Sequence, residues 1–408
     1  MKLFKTTAFL AALTAGASAS AQEVEVVELF VFPQNQGRLS QRSRSVADRL
    51  ASAVDGIERS YNDFKSDLNK KAGVQYSLDV SFLAQKGVPN GGKTAMQTIY
   101  APSVSWQMFD NDTWGTGTLS ASYTAVRYWG NSAGNIGNRL YLADAVNDFS
   151  TRQNSFDQLT YTHALFNNTV SLTVGQFPIY DFDGSQYGSN QQTGFVNYAL
   201  SQNASETYPI AGLGAYVQVN PTNEVSVAAG FQNARNVGAE TLSGKGWGDR
   251  RFTTFGSVSF TPTVNGRSGQ YSVLVYNQPN VVTQPQNTTG WSVNVSQNLT
   301  DSFGVFARVN AATGSSMPVK QSYVLGGVYT NPQKQSNQIG LAVACNKVAK
   351  NYFAEPVRSF ETVVEGYVSF GVTQFLTITP DVQLYVHPAQ RKNRNFGTVF
   401  SLRGTIQL

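Results

Sequence analysis

The sequence predicts an all-β fold: a transmembrane antiparallel β-barrel of about sixteen strands, with a short N-terminal helical segment ahead of it. Three observations carry the prediction. The chain opens like an export signal, it carries little charge for its length, and period-two alternation of apolar and polar residues runs from residue 74 to the C-terminus.

Lys2 and Lys5 make a charged start, Thr7 to Ala17 is apolar, and Ala19-Ser20-Ala21 has the small residues of a cleavage site. Residues 1–21 therefore read as a signal peptide, too short in their apolar part for the roughly 20 residues of a spanning helix. No later run reaches that length either, which leaves a soluble exported protein or a barrel in the outer membrane of a Gram-negative cell. Charged residues are only 13% of the chain, hydrophobic residues 41% and aromatics 12%. A soluble domain usually carries about twice that charge, whereas a barrel with lipid outside and neutral solutes inside needs less.

Removing Lys2 and Lys5 with the leader lowers the formal charge from +5 to +3, a weak bias. No basic stripe interleaved with aromatics supports nucleic-acid binding, and Arg391-Lys392-Asn393-Arg394 reads as a solvated loop. The single cysteine, Cys345, has no internal partner and reads as a small filler at a strand end.

Residues 22–73 form an N-terminal periplasmic segment. Within it, 45–72 is an amphipathic helix: Val46, Leu50, Val54, Ile57, Tyr61, Phe64 and Leu68 recur at spacings of four and three, with Gly73 as C-cap. The stripe suits a helix packed against the barrel end, and is also narrow enough for a coiled-coil seam in a homotrimer.

The barrel domain spans 74–408. Tyr76, Leu78, Val80 and Phe82 alternate with polar neighbours as a strand between lipid and water requires. Equivalent segments begin near Met96, Gly117, Ser155, Thr169, Ile210, Glu224, Arg251, Gly269, Gly290, Phe303, Gln321, Asn337, Ser359, Leu376 and Gly397. Tight turns such as Asn167-Asn168 and Asn331-Pro332 sit between longer polar loops, matching short periplasmic turns and long external loops.

A barrel of this size leaves an aqueous channel, so selectivity belongs to inward side chains and infolded loops. Parity places Glu361, Glu365 and Tyr367 inward on one strand, and Asp381, Gln383, Tyr385 and His387 inward on the next. Arg308 and Asn310, with Arg403 on the last strand, complete a polar wall suited to neutral polyols, although such charges can simply neutralise one another. The stretch Gln176 to Pro209 is too aromatic for disorder and reads as a loop narrowing the pore, carrying Tyr180, Asp181, Asp183 and Asn197.

The chain resembles the carbohydrate-selective porins of the OprB type. The resemblance rests on Gly175-Gln176-Phe177 leading to Asp181-Phe182-Asp183, and on Phe195-Val196-Asn197-Tyr198-Ala199-Leu200, Asn203 and Tyr208-Pro209. It rests equally on Glu361 and Glu365 with Gly366-Tyr367, and on Ile378-Thr379-Pro380-Asp381-Val382-Gln383 followed by Pro388. It implies a sixteen-stranded sugar porin with Glu361, Glu365, Asp381, Gln383 and the 176–209 loop in pore positions. The tryptophan-rich stretch that precedes the first strand in that family is missing here.

Passive, saturable diffusion of small sugars follows, with outer-membrane lipid as the other partner and no cofactor. A general porin and a plugged barrel acting as an anchor are the alternatives. An enzyme is disfavoured: only His163 and His387 are available, no Gly-x-Ser-x-Gly elbow is present, and no His, Cys and carboxylate cluster has metal-ligand spacing.

Overall fold

A computed structural model describes residues 56 and 58–408, apart from 189, 245–246, 283 and 315–316. The expected leader, the connector after it and the first part of the 45–72 helix lie outside the described residues.

Period-two alternation builds long antiparallel strands. They are β1 (Val74–Val88), β2 (Ala95–Asn111), β3 (Gly115–Gly130), β4 (Gln153–Leu165), β5 (Val170–Phe177) and β6 (Gly212–Val219). Next come β7 (Val225–Asn233), β8 (Phe252–Phe260), the two-residue β9 (Thr263–Val264), β10 (Arg267–Gln278), β11 (Thr288–Asn298) and β12 (Phe303–Ala312). The last are β13 (Val319–Thr330), β14 (Gln338–Val348), β15 (Phe360–Gly371), β16 (Leu376–Val386) and β17 (Phe396–Gln407).

Each long strand pairs with its sequence neighbours, and β17 returns to β1 with Val80 opposite Ile406 and Val88 opposite Thr398. Because β9 only extends the turn into β10, sixteen strands form the closed wall, as the alternation predicted. Closure pairs every edge, which a membrane demands because lipid offers no partner for backbone N–H and C=O groups.

Parity settles the two faces. On β15, Glu361, Val363, Glu365, Tyr367 and Ser369 are buried inside, while Phe360 and Phe370 are exposed outside. On β16 and β17, Ile378, Val382, Leu384, Phe400 and Leu402 face out, while Asp381, Gln383, Tyr385 and Arg403 face in. Two expectations change at strand ends. β16 stops at Val386, and His387 takes a left-handed turn (φ 59) that leaves it exposed rather than facing the lumen. β14 continues past Cys345 to Val348, so the thiol sits half-buried within the strand between Tyr323 and Thr362.

Connections alternate as expected. Short turns such as 112–114, 166–169 and 372–375 share one end with Val74 and Leu408, and long connections such as 131–152, 178–211 and 234–251 share the other. The short-turn end faces the periplasm by the usual asymmetry of these barrels. The helix over 58–72 lies at that end: Tyr61 meets Tyr76 and Phe375 edge-on at 6.2 and 5.4 Å, and Asn62 donates to Gln374 at 3.3 Å. Gly73 ends the helix at φ 66, where a Cβ would come within 2.5 Å of the Gln107 carbonyl. Phe64, expected on the apolar stripe, is exposed.

Candidate functional site

Two long connections fold back into the barrel. The first, 131–152, begins with a helix at Ala133–Leu140: the Ser132 side chain caps it by accepting from the Asn135 N–H, and Tyr141 ends it in the left-handed region. Ile136 and Leu140 are buried, and Gly87 on β1 makes room for them, since a Cβ there would lie 2.8 Å from Ile136. Residues 141–149 then turn into the lumen. The expected 176–209 loop is the second infolded segment, observed as 178–211. It contains a 3-10 turn at Ile179–Phe182 and one helical turn at Tyr198–Ser201.

Aromatic packing fixes the second segment. Phe182 lies 5.1 Å from Tyr216 and 4.8 Å from Phe255, and Phe195 sits between Phe306 and Tyr367 at 5.5 and 5.0 Å. Contacts of this kind add about 0.5–1.5 kcal/mol beyond burial.

The wall charges meet the backbone of these loops. Glu361 accepts from the N–H groups of Ala143, Asp144 and Ala389 at 2.8–3.1 Å. Glu365 accepts from Val196 at 2.5 Å and Asn197 at 2.8 Å. Arg308 donates to the carbonyls of Gln202 and Gly188 and to Asn294. Arg403 donates to the carbonyls of Gln191 and Gly194. Asp183 accepts from Asn203, Tyr208 and Asn294. The Asn197 amide reaches Asp144 and Tyr385, the Tyr385 hydroxyl donates to Gln383, and Gln383 donates to the Val146 carbonyl. Neither oxygen of Asp381 has a hydrogen bond of ordinary geometry; its carboxyl faces that of Glu365, with the Arg403 guanidinium also nearby.

Open space remains on the other side. A cavity of about 900 Å³ has a lining that runs from Ser77 and Asp79 near the short-turn end to Tyr352 and Gln390 near the long-loop end. A register irregularity between Ser122 and Thr124 lets Ser122, Tyr123 and Thr124 all border it. Among the described lining residues five are carboxylates, Asp79, Asp144, Asp148, Asp157 and Glu206, and none is Lys, Arg or His.

Burial pushes the Asp144 carboxyl up to about 7, against the pull of hydrogen bonds from Asn197 and the Ala145 N–H. Burial also raises Asp148 and Glu206. Both side chains are only half-buried, so water in the passage softens the effect there.

The residues singled out from sequence thus part ways. Tyr180 lines the large cavity. Tyr367 lines a smaller one of about 320 Å³ near the short turns, with Tyr187 and Gln338. Asp181 is exposed within the 3-10 turn. Glu361, Glu365, Asp381, Gln383, Tyr385, Arg308, Arg403, Asp183 and Asn197 are buried where loop meets wall. Sequence reasoning missed the 131–152 connection and with it Asp144 and Asp148. Its available signals were Ser132 as a helix cap and the apolar and acidic run Leu142-Ala143-Asp144-Ala145-Val146.

A closed sixteen-stranded barrel, narrowed by loops folded in from one end and keeping a polar passage, defines the class: an outer-membrane porin. A family model described as carbohydrate-selective porin, OprB family, matches residues 64–256 and 251–408. The chain belongs to that family. Porin AaxA of Chlamydia abortus is 38% identical over 369 residues, covering 88% of this chain and 82% of that one. Porin AaxA of Chlamydia felis is 37% identical over 349 residues, covering 82% and 78%. The high-pH structure of Pseudomonas putida OprB shares the fold with a TM-score of 0.71 at 17% identity, covering 85% of this chain and 97% of that one.

Proposed function

We propose that this porin carries small sugars, monosaccharides or short oligosaccharides, by passive and saturable diffusion into the periplasm. The observation that carries the reading is the 900 Å³ cavity and the chemistry of its lining. Tyr123, Tyr180 and Tyr198 offer ring faces and hydroxyls, Gln191, Gln192 and Gln202 offer amides, and the carboxylates accept from sugar hydroxyls. A solute exchanges water hydrogen bonds for these and stays weakly held, as flux requires. The family description supports the choice of carbohydrate.

One observation favours a second reading. With five carboxylates and no basic side chain among the described lining residues, the passage attracts cations and repels anions. Small positively charged solutes then pass as readily as neutral ones. Residues 1–21 as a cleaved leader, 22–73 as a periplasmic segment and a homotrimeric assembly belong to the same proposal.

Single-channel current in a planar bilayer tests it. Saturable block by glucose or short oligosaccharides supports sugar transport. Steady current without sugar block, with a reversal potential set by cations, supports the second reading. No current would sink both and leave a plugged anchor.

A further inference from the structure

The wall charges nearest the infolded loops divide by chemistry. Glu361 and Glu365, both on β15, take loop N–H groups, and Arg308 on β12 and Arg403 on β17 take loop carbonyls. Loop backbone that enters a barrel has left the strands that would pair it, so its buried N–H and C=O groups need other partners. A carboxylate only accepts and a guanidinium only donates, and each sits opposite the group it can satisfy. All four side chains are buried, and none borders the large cavity. Glu361 also accepts from Ala389, tying the first infolded loop to the outer 387–395 connection.

We propose that Glu361, Glu365, Arg308 and Arg403 form a latch that holds the two infolded loops against the β12 to β17 side of the barrel. The latch sets the width of the passage, and discrimination between solutes falls to the carboxylates and tyrosines bordering it. These four are positioning residues and touch no solute. The proposal rests on the porin reading, since a width matters only where something passes.

The test compares the full-length protein with Glu361→Gln, Glu365→Gln and the double variant, each checked for a folded barrel by heat-modifiable gel mobility. A glutamine keeps the size but turns an N–H towards N–H donors. Unitary conductance should rise about twofold with rapid flicker. Wild-type conductance and flicker together with a shifted reversal potential or altered sugar block would overturn the latch and restore these carboxylates as solute ligands.

Hydrogen exchange gives a readout that needs no current. In the wild-type protein the amides of Ala143, Asp144, Val196 and Asn197 should exchange as slowly as those of β15, and in the variants about tenfold faster. Equal exchange in both proteins overturns the latch. A silent wild-type channel with intact, variant-sensitive protection would instead strike down the porin reading and keep the loop anchorage.

Discussion

The far wall, from β12 to β17, and the near wall, from β1 to β4, are built from the same alternation but use their inward residues differently. On the far wall, Arg308, Glu361, Glu365 and Arg403 are covered by loop backbone and each hydrogen-bonds it. On the near wall, Gln85, Gln97 and Tyr128 also reach the first infolded loop, at Val146, Asn147 and Phe149, but the charged positions Asp79 and Asp157, with Ser122 and Thr124, border open space. An inward position is therefore only an opportunity. Whether it meets solute or scaffold depends on what lies over it.

The contrast predicts its largest effect on the packed side. Arg308→Ala removes three donations and leaves the Gly188 and Gln202 carbonyls without that partner. Losing hydrogen bonds from a buried charged donor costs about 1.5–3 kcal/mol, to be read from the thermal unfolding midpoint in detergent micelles. A loss under about 1 kcal/mol, the worth of an ordinary hydrogen bond, would place the loop's anchorage elsewhere.

Next comes pH. Burial raises Asp144 to about 7 and pushes Asp148 and Glu206 the same way. A carboxyl raised in this manner is ionised above its folded pKa and takes up a proton as pH falls through it. The cation preference of the passage should thus be strong at pH 8 and shrink as pH falls through 7 towards 6. A permeability ratio for potassium over chloride that stays flat across that range counts against these carboxylates as the filter.

A smaller effect belongs to the open side. Asp157 accepts from the Thr124 hydroxyl at 2.6 Å and has no loop backbone to hold. Asp157→Asn should lower the same permeability ratio, while the unfolding midpoint shifts by the equivalent of about 1 kcal/mol or less. A stability loss as large as that of Arg308→Ala would erase the distinction between the two walls.

The smallest effect lies outside the lumen, at the helix over 58–72. Tyr61→Ala removes the edge-on contacts to Tyr76 and Phe375, worth about 1 kcal/mol. Conductance should not change, and altered gating here would mean that the helix reaches the passage.

Much of the architecture can be read from residues alone. Alternation gave sixteen strands with ends within a few residues of those observed, and it placed Glu361, Glu365, Asp381, Gln383 and Tyr385 inside. A strand's side chains alternate with a fixed period of two, so one lipid-facing residue determines the face of all its neighbours. Aromatic density marked the second infolded loop for a related reason: Phe182 and Phe195 need apolar partners that a solvated loop does not supply.

What occupies the lumen is a different kind of fact. Glu361 meets Ala143 across a sequence separation of 218, and Glu365 meets Val196 across 169. Nothing periodic in either partner announces the pairing, because backbone N–H groups are the same at every residue. Strand geometry is local and repeats, so a short stretch of sequence reveals it. The division of the lumen into a latched wall and an open passage depends on how two loops share one closed volume, and only the folded chain decides that.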